Sequence, residues 1–309
     1  MSFMHIGIVV SDPKDWTACA LMASFTRNGG QAVFLNFSEL TSTIDGKMSY
    51  KMGEKSASCG HSFCSNGVDL LRLDALVVRD LGRRGVQDVA FRFEALQALE
   101  SLGLPVINPP QAIARAANKF ATSLALQRAG VPTPKTAVST SPKDALRILH
   151  EYGKAVSKPL FGFKGKGIEL LKDGDESDME KLAAILEKDG LVYLQEFIAL
   201  RSPRDIRAFV VNGKLMAAIY RVAPPGQWIT NLARGGQAEL CPITGELRDL
   251  AVNASRAVGA VYCGVDLLET GEGLKVIEVN GTPSGKGIFE ASGVNVADAI
   301  AEHVLRPHS

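Results

Sequence analysis

The chain has 309 residues, of which 46% are hydrophobic and 22% charged, a soluble globular composition that excludes a disordered chain and has room for two or three domains. Its 34 basic and 33 acidic residues leave a net charge of +1, which gives no electrostatic footprint for nucleic acid or an anionic membrane. No apolar run reaches transmembrane length, and five cysteines at 19, 59, 64, 241 and 263 point to reduced thiols in a cytoplasm.

In chain order, "HIGIVV" and "QAVFLNF" predict buried strands around the helix "DWTACALMASFTRNGG", which a glycine pair ends. The start reads as a strand entering a turn rather than a signal peptide. "STIDGKMSYKM" alternates around Asp45-Gly46, a hairpin-turn signal. Cys59-Gly-His61-Ser-Phe-Cys64 looks zinc-like, but a closed site needs four ligands and no second pair follows. A polar surface loop is the reading there. "LDALVVRDLG" predicts a strand, and "VQDVAFRFEALQALESLGLPVINPP" a helix, a short strand and a proline stop. These alternating elements make an α/β unit of roughly the first hundred residues.

"QAIARAANKFATSLALQRAG" predicts one helix ended by Gly130, and "SPKDALRILHEYG" another with Pro142 in its first turn. "AVSKPL", "GIELL" and "LVYLQEFI" read as strands, with the charged helix "DESDMEKLAAILEKDG" before the last. "DIRAFVVNGKLMAAIYRVA" is a hairpin closed at Asn212-Gly213; "GELRDLAVNASRAVGAVYCGVDLLE", "LKVIEVNG" and "VNVADAIAEHVL" continue the alternation.

The chemistry gathers in a few places. Lys158 to Leu171, "KPLFGFKGKGIELL", holds three glycines and three lysines. Leu170 falls where a dinucleotide fingerprint needs its third glycine, and "GTPSGKG" at Gly281 to Gly287 is one residue short of a P-loop. Glycine permits close backbone approach and lysine suits phosphate, so a phosphate-covering loop stands beside the blander reading of a solvated turn, which loop chemistry alone favours. Glu278 and Asn280 are two apart on a strand and share a face; with Asp266 they form an all-oxygen set suited to Mg²⁺ rather than zinc. Spacing alone leaves equally open that Asp266 caps a turn and Glu278 is a surface residue. Asp205 and Arg207 repeat the two-residue spacing, Arg221 lies across the hairpin and Arg234 follows in "NLARGGQ". Arginines near a cation site suit anionic substrates, though any one of them is by default a surface residue.

"KPLFGFKGKGI", "YLQEFI", "DIRAFVV", "TNLARGG", "GVDLL" and "VIEVNGTP" occur in the order and approximate spacing of an ATP-grasp ligase. More closely, the chain resembles the RimK-type α-L-glutamate ligases, including relatives that glutamylate pterin or deazaflavin cofactors, from about Arg79 to the C-terminus. "INPPQAIARAANKF" also resembles the family's entry into its central domain.

The resemblance implies an α/β (α+β) ATP-grasp fold. Residues 1–108 would form a Rossmann-like pre-ATP-grasp domain, 109–194 the central subdomain with a glycine-rich lid, and 195–309 the C-terminal subdomain with the metal site. ATP would lie between the last two. Lys119 and Lys158 match phosphate-touching lysines, and Gly165 and Gly167 belong to the lid. Gln195, Glu196 and Ile198 match the adenine hinge, Asp205 a ribose-side contact and Asn231 a nucleotide-site asparagine. Asp266, Glu278 and Asn280 match the Mg²⁺ ligands, with two ions expected and Mn²⁺ as a substitute. Arg207, Arg221 and Arg234 fall at arginines near the acyl phosphate.

The implied reaction is ATP-dependent ligation of L-glutamate to a small carboxylate acceptor through an acyl phosphate, in a cytoplasmic homo-oligomer, dimer or tetramer. Another amino acid, a peptide C-terminus, or a non-catalytic nucleotide-binding regulator are the alternatives. Three departures concern substrate and rate: Ile229 stands where such proteins often carry arginine, Lys164 and Lys166 make the lid unusually basic, and Thr41 to Gly67 matches none of the motifs that carry the resemblance. Arg79, Arg83 and Arg84 are the N-terminal candidates for gripping the acceptor.

Overall fold

The computed structural model describes residues 3–48, 59–82, 85–162, 165–227, 230 and 235–306. The N-terminal part begins with β1 (His5–Val9), α1 (Trp16–Arg27) and β2 (Gln31–Leu35). Asp15 caps α1 by accepting Ala18 N–H at 2.8 Å, and Gly29 beyond its end has φ +80°. β3 (Thr41–Met48), β4 (Cys59–Ser65) and β5 (Val68–Asp69) form a small antiparallel sheet.

This sheet corrects two expectations. Asp45-Gly46 is not the hairpin turn: β3 runs through it to Met48, with a shift of register between Ile44 and Met48. The glycine serves an irregular strand rather than a reversal. The Cys59–Cys64 stretch is strand rather than surface loop, because its ladder with β3 takes up its backbone groups.

β6 (Ala75–Val78), α2 (Val86–Ser101) and β7 (Val106–Ile107) complete a four-stranded parallel sheet of order β2-β1-β6-β7. The expected single helix after Pro110 is two, α3 (Pro110–Ala117) and α4 (Lys119–Arg128). They break at Asn118, whose extended backbone (φ −98°, ψ 109°) lets its side chain cap α4 at Ala121 N–H, 3.1 Å. A local side-chain bond here outcompetes the helical one. The break puts Lys119 at the first residue of α4.

β8 (Thr136–Ser139), α5 (Pro142–Tyr152), β9 (Lys154–Lys158), β10 (Glu169–Lys172), α6 (Glu176–Asp189) and β11 (Val192–Glu196) build a central antiparallel sheet, β10-β9-β11-β8. Then β12 (Arg204–Val211), β13 (Lys214–Val222), β14 (Gln237–Leu240), α7 (Gly245–Val258), β15 (Tyr262–Thr270) and β16 (Gly273–Asn280) supply a five-stranded antiparallel sheet, β14-β13-β12-β15-β16. The β12–β13 turn is at Asn212-Gly213, both with positive φ (47° and 68°), as the dipeptide predicts. α8 (Lys286–Ser292) and α9 (Val296–Leu305) finish the chain.

Period two divides the five-stranded sheet. Ile206, Ala208, Val210, Cys263, Val265, Val276 and Val279 face a core shared with Ala251, Ala254 and Val258 of α7. On the other face Phe209, Val211, Ala217, Ile219 and Tyr262 join a cluster with Ile6 and Ile8 of β1, Phe25 of α1 and Ile300 of α9. That cluster binds the N-terminal sheet to one end of the five-stranded sheet.

Asn108, fully buried just after β7, fixes the same junction. Its Oδ1 accepts from the N–H groups of Val261 (2.7 Å) and Tyr262 (2.9 Å), and its Nδ2 donates to the carbonyls of Tyr262 (2.7 Å) and Gly281 (2.6 Å). Asn108→Ala strands these backbone groups away from water and is expected to cost about 3–5 kcal/mol. Urea unfolding measures it; a loss under about 1 kcal/mol would contradict the clamp.

Candidate active site

Beyond the apolar junction, the same face of the five-stranded sheet turns charged. On β12 the alternation that buries Phe209 and Val211 carries Asp205 and Arg207 onto that face. Asp205 pairs in register with Arg221 of β13, Arg207 with Asp266 of β15, and Asp266 with Glu278 of β16; Gly264 lies opposite Asn280. Asp266 is therefore a buried mid-strand residue, not a turn cap. A register shift between Asp266 and Leu267 makes Ile277 the extra residue of a bulge, so Val276 and Val279, three apart, both enter the core.

The register places opposite charges side by side. Arg221 donates from Nε to Asp205 Oδ1 (2.7 Å) and from Nη2 to Asp205 Oδ2 (2.6 Å), and Nη2 also meets Asp266 Oδ2 at 2.8 Å. Arg207 grips Asp266 through Nη2 to Oδ2 at 2.8 Å and through Nε to Oδ1. Thr230 Oγ1 donates to Asp205 Oδ2 at 2.6 Å. Burial alone would raise the Asp266 carboxyl, but Arg207 and Arg221 override it and hold it at about 2. Arg221 loses by burial and gains more from Asp266 and Asp205, so its pKa rises above the ordinary arginine value.

Sequence reasoning missed the role of Gly264. A Cβ there would lie 3.0 Å from Arg207 Cδ and 3.1 Å from Pro283 Cβ, so glycine leaves the arginine its lane along β15. Nothing in "YCGVDLL" distinguishes this glycine from any other strand glycine before the register with β12 is known.

Helix α4 and the central sheet each bring a lysine to the charged face. Lys119 donates its backbone N–H to Leu160 O (3.1 Å), and its Nζ reaches Gly162 O (3.5 Å) and Glu278 Oε1 (3.1 Å). Lys158, at the end of β9, donates from Nζ to Gln195 Oε1 at 2.7 Å. Gln195 in turn donates from Nε2 to Thr136 Oγ1 (3.2 Å) and Tyr193 OH (3.3 Å). Although Lys158 keeps some exposed surface, its ammonium is enclosed by protein. That burial pushes it down to about 8, with Glu278 opposing and Lys119 reinforcing the shift. In the loop that follows, Gly165 and Gly167 each have φ +69°, and a Cβ on Gly167 would meet Pro159 Cγ at 2.8 Å, so both positions call for glycine.

Glu196 accepts Lys135 N–H at 2.9 Å, while the N–H groups of Glu196 and Phe197 are donated to the carbonyls of Lys135 and Lys154. Glu196, Phe197 and Ile198 line an open surface depression of about 320 Å³ together with Thr270, Glu272 and Lys275. Asn231, Arg234, Ile229, Lys164, Arg83 and Arg84 lie outside the described residues. Arg79 is 5% exposed, donates from Nη1 to Pro283 O (2.8 Å) and pairs with Asp15 at 3.4 Å, a strut between N-terminal sheet and C-terminal loop rather than an open grip for a ligand.

Asp266, Glu278 and Asn280 offer oxygen donors only. Asn280 Oδ1 accepts Thr282 N–H at 2.9 Å, which fixes its amide and leaves a lone pair on that oxygen. Among the described residues no cluster of three or more carboxylates, imidazoles or thiols could hold a metal. Two carboxylates with an amide fit Mg²⁺, which keeps waters and shares its shell with substrate phosphates.

A family model described as a RimK-like ATP-grasp domain matches residues 116–304. A tetrahydromethanopterin:α-L-glutamate ligase from Methanosarcina acetivorans is 41% identical, with 97% of this chain and 98% of that protein aligned. Its namesake from Methanocaldococcus jannaschii is 42% identical over 76% of this chain and 80% of its own. Among solved structures, the ATP-grasp ligase PsnB complexed with minimal precursor superposes with a TM-score of 0.74 at 21% identity, covering 98% of this chain and 99% of that one. A RimK domain protein ATP-grasp from Sphaerobacter thermophilus gives 0.72 at 21% identity, covering 98% and 100%. At such identity these superpositions establish the fold.

Gly264→Ala is expected to push the Arg207 guanidinium off Asp266 and cost about 1–3 kcal/mol. A crystal structure of the variant with an undisplaced Arg207, at wild-type stability, would contradict the lane.

Proposed function

Because the chain belongs to the RimK-like ATP-grasp family, we propose that it is an ATP-dependent amide-forming ligase joining L-glutamate to a pterin-type small-molecule carboxylate through an acyl phosphate. One observation supports the reading: Lys119 of α4, Lys158 of β9 and the cross-strand arginines Arg207 and Arg221 gather about the carboxylates of Asp266 and Glu278. Phosphoryl transfer asks a protein for positioning and charge neutralisation rather than a covalent nucleophile. The two methanogen relatives name glutamate and the pterin class of acceptor.

In this reading residues 1–108 shape the acceptor side, and ATP lies between 109–194 and 195–309, its base along Gln195, Glu196 and Ile198. Asp266, Glu278 and Asn280 hold Mg²⁺, two ions with Mn²⁺ able to replace them, which neutralise and align the phosphates when bound. Lys119 and Lys158 take phosphate oxygens, Asn231 adds a polar contact, and the loop of Gly165 and Gly167 closes over them. An acceptor carboxylate oxygen attacks the γ-phosphorus and ADP leaves. The glutamate amine then attacks the acyl carbon, phosphate leaves, and the nitrogen gives up a proton. Arg207, Arg221 and Arg234 stabilise the acyl phosphate and the tetrahedral oxyanion.

Purified protein with ATP, Mg²⁺, glutamate and a panel of reduced pterins, deazaflavins and short peptides tests this by mass spectrometry. A pterin gaining a glutamyl unit with matching ADP is expected; turnover only with another amino acid or only on peptides would overturn it. Glu278→Ala should lower kcat by at least about 100-fold with the fold intact, and undiminished turnover at saturating Mg²⁺ would sink the metal assignment.

Lys158 adds a pH dependence. A triphosphate favours the charged ammonium, which the free protein loses as pH rises through about 8. ATP affinity should therefore hold below that pH and weaken above it, at a limiting slope of about tenfold per pH unit. Lys158→Met should bind more weakly throughout without this slope; an unchanged slope would refute the assignment.

A further inference from the structure

The two arginines at Asp266 are not equivalent. Arg221 has an anion of its own: two hydrogen bonds tie it to Asp205, and it meets Asp266 through one shared nitrogen. Asp205 is fixed in place, 4% exposed and bonded to Thr230 Oγ1 at 2.6 Å. Arg207, by contrast, has both of its described carboxylate contacts on Asp266 and is the less buried of the two, its side chain 14% exposed against 7% for Arg221.

A cation taken up by Asp266 must compete with these arginines. Arg221 is held in place by its two bonds to Asp205, whereas Arg207 has no second carboxylate among its described contacts to hold it there. Arg207 is therefore the one free to leave, and its release leaves a largely buried charge unpaired until another anion arrives. Accepting Asp266 as an Mg²⁺ ligand, on the reading given above, we propose that Asp205 is a positioning residue that confines Arg221 to its single contact with Asp266. Arg207 is then the one arginine that metal entry releases. Left without an anion, Arg207 turns to the transferring phosphoryl group, so metal and anionic substrate bind cooperatively. This replaces the ribose-side role for Asp205, whose carboxylate oxygens already serve Arg221 and Thr230.

The test is Mn²⁺ binding to the full chain, followed by electron paramagnetic resonance of the free ion, with circular dichroism and urea melts confirming that each variant is folded. Asp205→Asn frees Arg221 to close on Asp266 and should weaken Mn²⁺ binding about tenfold. Arg207→Met removes the competitor and should tighten it, by a similar factor of about ten. Arg221→Met alone should change it little, yet in the Asp205→Asn background it should restore binding to within about threefold of wild type. If Asp205 acts only through its charge, the effects of the two substitutions add, and the proposal fails; it fails equally if Arg207→Met does not tighten binding. Asp266→Asn, with Glu278→Gln as a second variant, separates the premise: Mn²⁺ binding unchanged in both, or absent from the wild type, would refute the metal site itself.

Discussion

The site depends on a carboxylate, Asp266, placed inside a β-sheet at 2% exposure. A charge so buried is tolerated only with close partners, and strand register supplies them: Arg207 directly across on one side, Arg221 one strand further, and Asp205 behind Arg221. Among the described residues, no buried side-chain nitrogen or oxygen lacks a hydrogen-bond partner. Compensation on this scale holds the Asp266 carboxyl well below the usual carboxylate range despite its burial. Lys158 is the opposite case. Its main partner is a neutral amide, so burial dominates and its charge is the one that responds to pH near 8.

Holding such a block in place requires a stiff frame. The apolar end of the same sheet face is packed against β1, α1 and α9, so the strands carrying the charges are anchored at that end. Asn108 and Tyr262, whose hydroxyl donates to Val78 O at 2.6 Å, stitch the anchored end. Arg79 and Thr17 hold the loop leaving Asn280, through Pro283 O and Gly285 N–H. Lys119, from the start of α4, and Lys158, from the end of β9 in the central sheet, approach the charged face. No helix among the described residues is long and apolar enough to cross a membrane.

What the sequence made legible was local. The two-residue spacings of Asp205 and Arg207 and of Glu278 and Asn280 imply shared faces, and Asn212-Gly213 implies a reversal, because each depends only on neighbouring backbone. The failures share a cause. Asp45-Gly46 has the dipeptide of a turn, but pairing with β4 decides its conformation. Asn118 breaks a helix that composition would continue, because its side chain finds a better use as a cap. The bulge at Ile277, the lane beside Gly264 and the capture of Asp205 by Arg221 are set by cross-strand register, which no single segment encodes.

In the proposed function, the chemistry asked of this frame is activation of a carboxylate by phosphoryl transfer, with the arginine pair and the lysines carrying charge rather than bonds. The most direct measurement follows oxygen. An acceptor labelled with ¹⁸O in its carboxylate, turned over with ATP and glutamate, should pass one ¹⁸O into each phosphate released per amide formed. Phosphate free of label, or label found in AMP, would mean that no acyl phosphate forms and would contradict the account.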